Sequence, residues 1–338
     1  MRWHTTLRVG GPARRFVEAT TEQQLIDEVT GADEAGEPVL VLGGGSNLVV
    51  SDDGFPGTVV KVAIQPTQAP RAFDEPGCGG VMVTFVAGES WGTVVEGAVE
   101  AGWAGIETLG GIPGYLGAVP IQNVGAYGQE VSQTIARVRT WDRRERAHRT
   151  FANADCGFGY RTSRFKKEPH RYVVLDVTFQ LTPDTLSAPI RYAELARALD
   201  LEIGDRAPLW DVHLAVLALR RGKGMVLDAG DRDTWSAGSF FTNPVIEPDL
   251  VPEGAPTWPM PDGTAKTSAA WLIERAGFGK GYGEGRARLS TKHTLALTNR
   301  GDATTAELLA LARELRDGVE AAYGIRLVNE PVLVGCEL

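Results

Sequence analysis

Between Gly110 and Gly128 the chain places six glycines and two prolines within nineteen residues. No regular helix or central strand sustains that density, because glycine carries a large backbone entropy cost and proline removes a hydrogen-bond donor. The segment is therefore a long irregular loop. Loops of this length inside a compact protein are uncommon and tend to be functional. Close approach of backbone to a large ligand is the use this composition serves, and an elaborate buried loop without a ligand is the alternative. A second cluster, Gly43-Gly44-Gly45-Ser46-Asn47, follows the apolar run Pro38-Val39-Leu40-Val41-Leu42. Its successive N–H groups can form an anion nest, with Ser46 and Asn47 adding side-chain donors, although the same residues alone also suit an ordinary tight turn. It lacks the spacing of the dinucleotide fingerprint, and no Walker glycine-lysine-serine/threonine sequence occurs, so a Rossmann NAD domain is disfavoured.

At 338 residues the chain exceeds what one core usually organises, and two or three domains are expected. Its formal charge of −9 argues against a general nucleic-acid or anionic-membrane surface. Local basic runs remain at Arg161, Arg164, Lys166 and Lys167 and at Arg220, Arg221 and Lys223, a pattern equally suited to a solvated face. Cys78, Cys156 and Cys336 lie far apart without metal-ligand spacing, and the five histidines form no close pair. Reduced thiols and no metal are expected. With no apolar stretch at the start suited to export or to spanning a bilayer, a cytoplasmic location is expected.

The elements read as an α+β fold. Thr21 starts a capped helix, Pro38 to Leu42 and Val81 to Val86 read as strands, and Ser90 caps a helix that Gly102 ends. Lys61 to Gly80 reads as a link between two lobes. Strands at Arg137 to Trp141 and Tyr172 to Phe179 flank an excursion that carries Arg161. An insertion-like stretch with Tyr192 follows, then an apolar helix from Leu209 to Leu219. Thr267 introduces a further helix closed near Gly277, and Thr304 introduces another, with Glu307 as capping-box partner and Gly324 as its end.

Three separated fragments hold groups suited to controlling charge on a small substrate: Tyr160-Arg161-Thr162-Ser163, Ala237-Gly238-Ser239-Phe240-Phe241-Thr242-Asn243-Pro244 and Asn329-Glu330-Pro331. An arginine can neutralise a carboxylate bidentately, a serine can donate a proton and a glutamate can relay or steady one. Alone, Ser239 also suits a turn serine beside glycine, Glu330 a surface ion pair, and Tyr192 a core-packed helix residue. Together with Thr6-Leu7-Arg8-Val9-Gly10-Gly11-Pro12-Ala13, the two glycine runs and Lys266-Thr267-Ser268-Ala269-Ala270-Trp271-Leu272-Ile273, these fragments resemble, in their joint order, the UDP-N-acetylenolpyruvoylglucosamine reductase family over nearly the whole chain. Tyr192 within an insertion resembles the form of that family in which a tyrosine loop closes over the substrate diphosphate.

The resemblance implies a two-lobed FAD-binding fold of the vanillyl-alcohol-oxidase type plus a C-terminal α+β substrate-binding domain. The implied boundaries are 1–66 for the first lobe with 326–338 returning to it, 67–220 for the second with the tyrosine insertion at about 182–208, and 221–325 for the substrate domain. Noncovalent FAD would be lined by Gly43, Gly44, Gly45, Ser46, Asn47, Leu48, Ile112, Pro113, Gly114, Gly117, Ala118, Gln122, Asn123, Gly125 and Ala126. NADPH would donate hydride, and the acceptor would be the enolpyruvyl ether of UDP-N-acetylglucosamine enolpyruvate. Arg161, Ser239 and Glu330 fall on the family's catalytic positions, with Arg161 and Glu330 stabilising the enolate and Ser239 supplying the proton. Glu330 could act as a neutral acid or as a carboxylate that orients Arg161. Tyr127, Tyr192, Arg220, Lys223 and Asn243 fall at substrate contacts. A monomer without nucleic-acid or membrane partners is expected. The chain departs from the family pattern at Thr5-Thr6, at Ala229-Gly230 and at His293, where some relatives carry an amide. A flavin oxidase would place a histidine or cysteine in a glycine run for covalent attachment, and neither run has one. A noncatalytic UDP-sugar binder would have no need of Arg161, Ser239 and Glu330 together.

Overall fold

In the computed structural model the structure describes residues 1–67, the backbone of 72–74, and 79–338. Cys78 and part of the expected link at 61–80 lie outside the described residues. The chain divides into two compact units, one formed by 13–44 and 56–221, the other by 1–12, 45–55 and 222–338. This division runs through the triple glycine and groups most of 13–66 with 67–221, whereas the sequence reading set the lobe boundary near 66.

In the first unit an antiparallel sheet is built on the long strand Tyr172–Pro183, which pairs with Ile135–Asp142 on one side and Val81–Val86 on the other. Eight consecutive residues, Tyr172 to Phe179, are buried, consistent with a strand covered on both faces. Val83, Phe85, Trp91, Val177 and Phe179 share its core, and Phe179 packs against the rings of both Phe85 and Trp91. A smaller sheet joins Ala13–Ala19, Phe55–Val62 and Val39–Leu42, the last two in parallel. The helix Glu22–Glu34 starts where expected, with Thr21 accepting from the Gln24 N–H. Arg139 on the strand Ile135–Asp142 and Arg143 just past its end pin that helix through Glu22 and Asp33. Ser90 precedes the helix Trp91–Glu100 but makes no side-chain cap bond, while Gly102 takes the left-handed conformation expected past its end.

The second unit has its own core around Leu7, Val49, Phe240, Phe241, Leu272 and Leu308. The helix Ala269–Arg275 is capped by Ser268, one residue later than expected, because Thr267 is still the last residue of the strand Ala265–Thr267, paired with Thr257. The strand Leu48–Val50 pairs in parallel with Val332–Val334, which brings the chain end back to the turn after the triple glycine. The helix Thr305–Tyr323 buries Leu308, Leu309, Leu311, Ala312, Leu315 and Val319, a stripe at helical spacing. The reciprocal Thr304–Glu307 capping box forms as expected, and Gly324 ends the helix at φ 68°. Asp52 adds what the sequence did not reveal: its carboxylate accepts from the N–H groups of Thr305 and Ala306 at 2.8 and 3.0 Å. That places negative charge at the positive end of the helix.

Replacing Thr304 with alanine orphans the Glu307 N–H and should cost about 1 kcal/mol of stability. A urea titration should show a lower midpoint with an unchanged slope; an unchanged midpoint would mean Asp52 alone secures this helix start.

Candidate active site

In the first unit the glycine-rich run from 110 to 128 is an irregular path interrupted by short turns, the helix Val119–Gln122 and the two-residue strand Gly125–Ala126, which pairs with Gln129–Glu130. Asn123 ends that helix in the left-handed region at φ 46° and is almost fully buried. Its side-chain amide donates to the Glu130 carboxylate at 3.0 Å and to the Gly159 carbonyl at 2.9 Å, and its oxygen accepts from the Ser132 N–H. Asn123, expected among the cofactor residues, thus joins the loop to the turn that carries Arg161.

That turn is closed by paired backbone hydrogen bonds between Gly159 and Thr162. The Ser163 hydroxyl donates to the Ile121 carbonyl at 2.8 Å and accepts from the Lys166 N–H. Arg161 sits at φ 52°, a strained conformation for an arginine. Its Nη2 donates to the Gly125 carbonyl at 2.8 Å, and Lys166 Nζ donates to the Arg161 carbonyl. The guanidinium is therefore anchored to the glycine run itself.

Tyr127 follows in the same run, also left-handed at φ 49°. Its ring meets that of Tyr192 edge-on, with centroids 5.4 Å apart. Tyr192 stands at the N-cap of the short helix Ala193–Ala198 and is 43% exposed, so it is not the core-packed helix tyrosine its sequence also allowed. Burial pushes the Tyr127 phenol up to about 12, with the Arg220 cation opposing. Arg220, on the inner face of the helix Leu209–Gly222, is buried, and desolvation lowers its pKa to about 10, with Tyr127 opposing and Arg161 adding to the shift. Both groups keep their protons near neutrality. Tyr127, Tyr192, Arg161 and Arg220 form one polar cluster in this unit.

The backbone around the glycines has donors to spare. Among the described residues, the N–H groups of Gly44, Gly45, Ser46 and Asn47 donate to no acceptor of the chain, and neither do those of Gly111, Ile112, Gly114 and Tyr115. Gly44 packs so closely on the second run that an added Cβ would lie 2.7 Å from the Gly114 Cα. Gly117 is similarly pressed against Ala87, whose carbonyl accepts its N–H. Gly43 and Pro113 belong to these same two stretches. Ile112, Ile121, Val124 and Ala126 lean on the core while partly exposed, Ala118 is exposed, and Gln122 is half-buried.

In the second unit the other two fragments come together. Phe241 bridges to Asn329, the Glu330 N–H donates to the Phe240 carbonyl at 2.8 Å, and the Val332 N–H donates to the Asn47 carbonyl at 2.9 Å. Asn47 Nδ2 also reaches the Glu330 carbonyl at 3.4 Å. Ser239 and Glu330 thus flank the same buried phenylalanine pair, next to the turn Gly45–Leu48. The Asn243 side chain accepts from the Ala269 N–H at 3.0 Å, which ties it to a helix start. Lys223 is half-buried just after the helix that holds Arg220. Sequence reasoning noted His293 only as a departure; its Nε2 lies 3.4 Å from the Ser239 hydroxyl. It also missed Glu107, fully buried, whose carboxyl accepts from the N–H groups of Gly105 and Ala188 and from the Gln129 side chain. A glutamate inside an apolar stretch was the only available signal.

Two family models match the chain: an FAD binding domain over residues 13–150 and the UDP-N-acetylenolpyruvoylglucosamine reductase C-terminal domain over 230–334. Curated UDP-N-acetylenolpyruvoylglucosamine reductases from Cutibacterium acnes and Streptomyces avermitilis are 57% and 56% identical to it, each alignment covering 99% of this chain and 89% and 93% of theirs. The crystal structure of the reductase from Thermus caldophilus superposes with a TM-score of 0.67 at 26% identity, over 98% of this chain and 96% of that one. With that identity sustained from end to end, and with the glycine runs and the arginine, serine and glutamate fragments built as described, the chain belongs to the UDP-N-acetylenolpyruvoylglucosamine reductase family.

Proposed function

We propose that this chain is an FAD-containing, NADPH-dependent reductase that converts the enolpyruvyl ether of UDP-N-acetylglucosamine enolpyruvate to UDP-N-acetylmuramate for peptidoglycan precursor synthesis. Family membership supports the activity. The observation that carries it is the set of unspent amides at Gly44 to Asn47 and Gly111 to Tyr115. Successive unspent N–H groups form an anion nest, and each run by itself suits a phosphate of the kind a dinucleotide carries. The apolar surface of Ile112, Ile121, Val124 and Ala126 suits a planar ring system, so the residues present fit FAD.

When bound, FAD passes the hydride of NADPH to the substrate. The chain's task is to manage the charge that appears on the carbon beside the substrate carboxylate. Arg161 would hold that carboxylate, and its fixed anchor on Gly125 means the grip can strengthen as charge builds without reorganisation. Glu330 would steady the same charge. Ser239 would supply the proton that completes reduction. Tyr127 and Tyr192 would present protonated phenols to the substrate diphosphate, with Arg220, Lys223 and Asn243 as further contacts, and the buried cation of Arg220 offsetting its charge. We assign 1–66 with 326–338, and 67–220, to holding FAD, and 221–325 to the substrate; the FAD binding domain match over 13–150 supports the first part of this assignment and the C-terminal domain match from 230 the last. We take the protein to be a cytoplasmic monomer; its formal charge of −9 counts against nucleic-acid or anionic-membrane partners, and among the described residues no helix is long and apolar enough to cross a membrane.

The direct test is an anaerobic titration. NADPH should bleach the flavin absorbance, and the enolpyruvyl sugar nucleotide should restore it with UDP-N-acetylmuramate as product; bleaching without recovery would refute the substrate. Gly44→Ala, which sets a Cβ against the Gly114 backbone, should purify with much of its yellow colour lost, whereas Gly31→Ala, with open space around it, should keep full flavin content. Ser239→Ala should still be bleached by NADPH at the normal rate but recover at least ~100-fold more slowly, the scale for a lost proton donor. Normal recovery would remove Ser239 from the mechanism.

A further inference from the structure

A serine hydroxyl is a weak acid, and once it has protonated carbon it is left as an alkoxide that must be refilled. The structure sets an imidazole at that point. His293 Nε2 lies 3.4 Å from Ser239 Oγ, a separation open to tightening when substrate is bound.

Neither partner is there by chance of rotamer. Ser239 is flanked by Gly238 in the left-handed region at φ 74° and by Phe240, which is 1% exposed. The Phe240 N–H donates to the Leu295 carbonyl at 2.7 Å, fastening the serine segment to the stretch that carries His293. Across that stretch the buried Ser290 hydroxyl accepts from the N–H groups of Lys292 and His293, and the Ser290 N–H donates to the Ala296 carbonyl at 2.8 Å. Thr291 is held to the buried Asp233 through its backbone N–H at 2.8 Å and its hydroxyl at 2.7 Å. The imidazole is thus presented to the serine by a turn fixed at several points.

We propose that His293 is a positioning residue that hands a proton to Ser239 Oγ as the serine gives its own to the substrate carbon. The inference rests on the assignment of Ser239 as proton donor. The imidazolium carries a hydrogen on each ring nitrogen. Its Nε2–H bond breaks as a new Oγ–H bond forms, the original Oγ–H bond breaks as the C–H bond forms, and the neutral imidazole regains a proton from solvent. No electron moves in this step, and its only co-reactant is water. Histidine suits the role because its ordinary pKa, about 6.5, lies near working pH.

Four variants test the relay by following both halves of the reaction anaerobically. His293→Ala and His293→Gln should each be bleached by NADPH at the wild-type rate, which shows an intact fold and flavin. Both should then recover about 100-fold more slowly with the enolpyruvyl substrate, because glutamine keeps a hydrogen-bonding amide but cannot release a proton. The double variant Ser239→Ala/His293→Ala should recover no more slowly than Ser239→Ala alone, since the histidine acts through the serine. Wild-type recovery in His293→Ala overturns the proposal, as does full recovery in His293→Gln or a double variant slower than Ser239→Ala by the whole His293 factor. A normal Ser239→Ala would instead show that the donor assignment itself is wrong, whatever the histidine variants do.

Discussion

The placement of Arg161 depends on one buried amide. Asn123 makes three hydrogen bonds from a side chain that is 1% exposed: two donated, to Glu130 and Gly159, and one accepted from Ser132. Each group left unpaired at such a site costs about 1–3 kcal/mol, so removal of the amide would undo more than one contact. Asparagine is also among the few non-glycine residues that enter the left-handed region readily, which lets it end a helix and reach across to the arginine turn in the same step. Arginine has no such licence. The φ of 52° at Arg161 is strain that its surroundings must hold, and the Gly125 carbonyl, the Ser163–Ile121 bond and Asn123 do so. Tyr127, Asn123 and Arg161 are three of eight left-handed non-glycine residues among those described, and their clustering marks this loop as the place where the fold accepts strain for placement.

Burial is the largest cause of the pKa shifts at Tyr127, Tyr192 and Arg220 in this cluster. Arg161 and Arg220 repel one another, and each is bound to a loop or helix that cannot easily move apart. Desolvation lowers the Arg220 pKa to about 10 and raises the Tyr127 phenol, with the Glu194 carboxylate adding to that rise, so both groups keep their protons near neutrality.

Much of this was legible in the chain because it rests on local rules. Thr21, Thr304 with Glu307, and Gly324 announced helix ends through side-chain geometry that involves only neighbours in sequence. The density of glycine and proline announced a loop whose backbone had to be approached. What stayed hidden is pairing between residues remote in sequence. Asp52 capping a helix more than 250 residues later, Arg139 clasping Glu22, and His293 meeting Ser239 leave no periodic or spacing signal. Thr267 misled for a related reason: a threonine beside a serine gives two equivalent caps until pairing with Thr257 makes the threonine the end of a strand. The compact units cut the triple glycine for the same cause, since the parallel pairing of Leu48–Val50 with Val332–Val334 is decided by the far end of the chain.

Glu107 shows how the tyrosine insertion is registered to the loop it serves. One carboxyl oxygen accepts from the Ala188 N–H at 2.8 Å, inside the insertion, and from the Gln129 amide at 2.9 Å, at the end of the glycine-rich run. Its other oxygen accepts from Gly105 at 2.6 Å. Gln129 in turn accepts from the Thr108 N–H and hydroxyl, and the Thr108 hydroxyl also reaches the Ala126 carbonyl beside Tyr127. A fully buried acid is tolerable only when its lone pairs are met, and here they are met by the backbone N–H groups of Gly105 and Ala188 and by the Gln129 side-chain amide. The edge-on contact of Tyr127 with Tyr192 is therefore not left to two surface side chains alone. The insertion through its backbone and the glycine-rich run through the Gln129 side chain are keyed to one carboxyl group, which holds the base of the tyrosine pair in register.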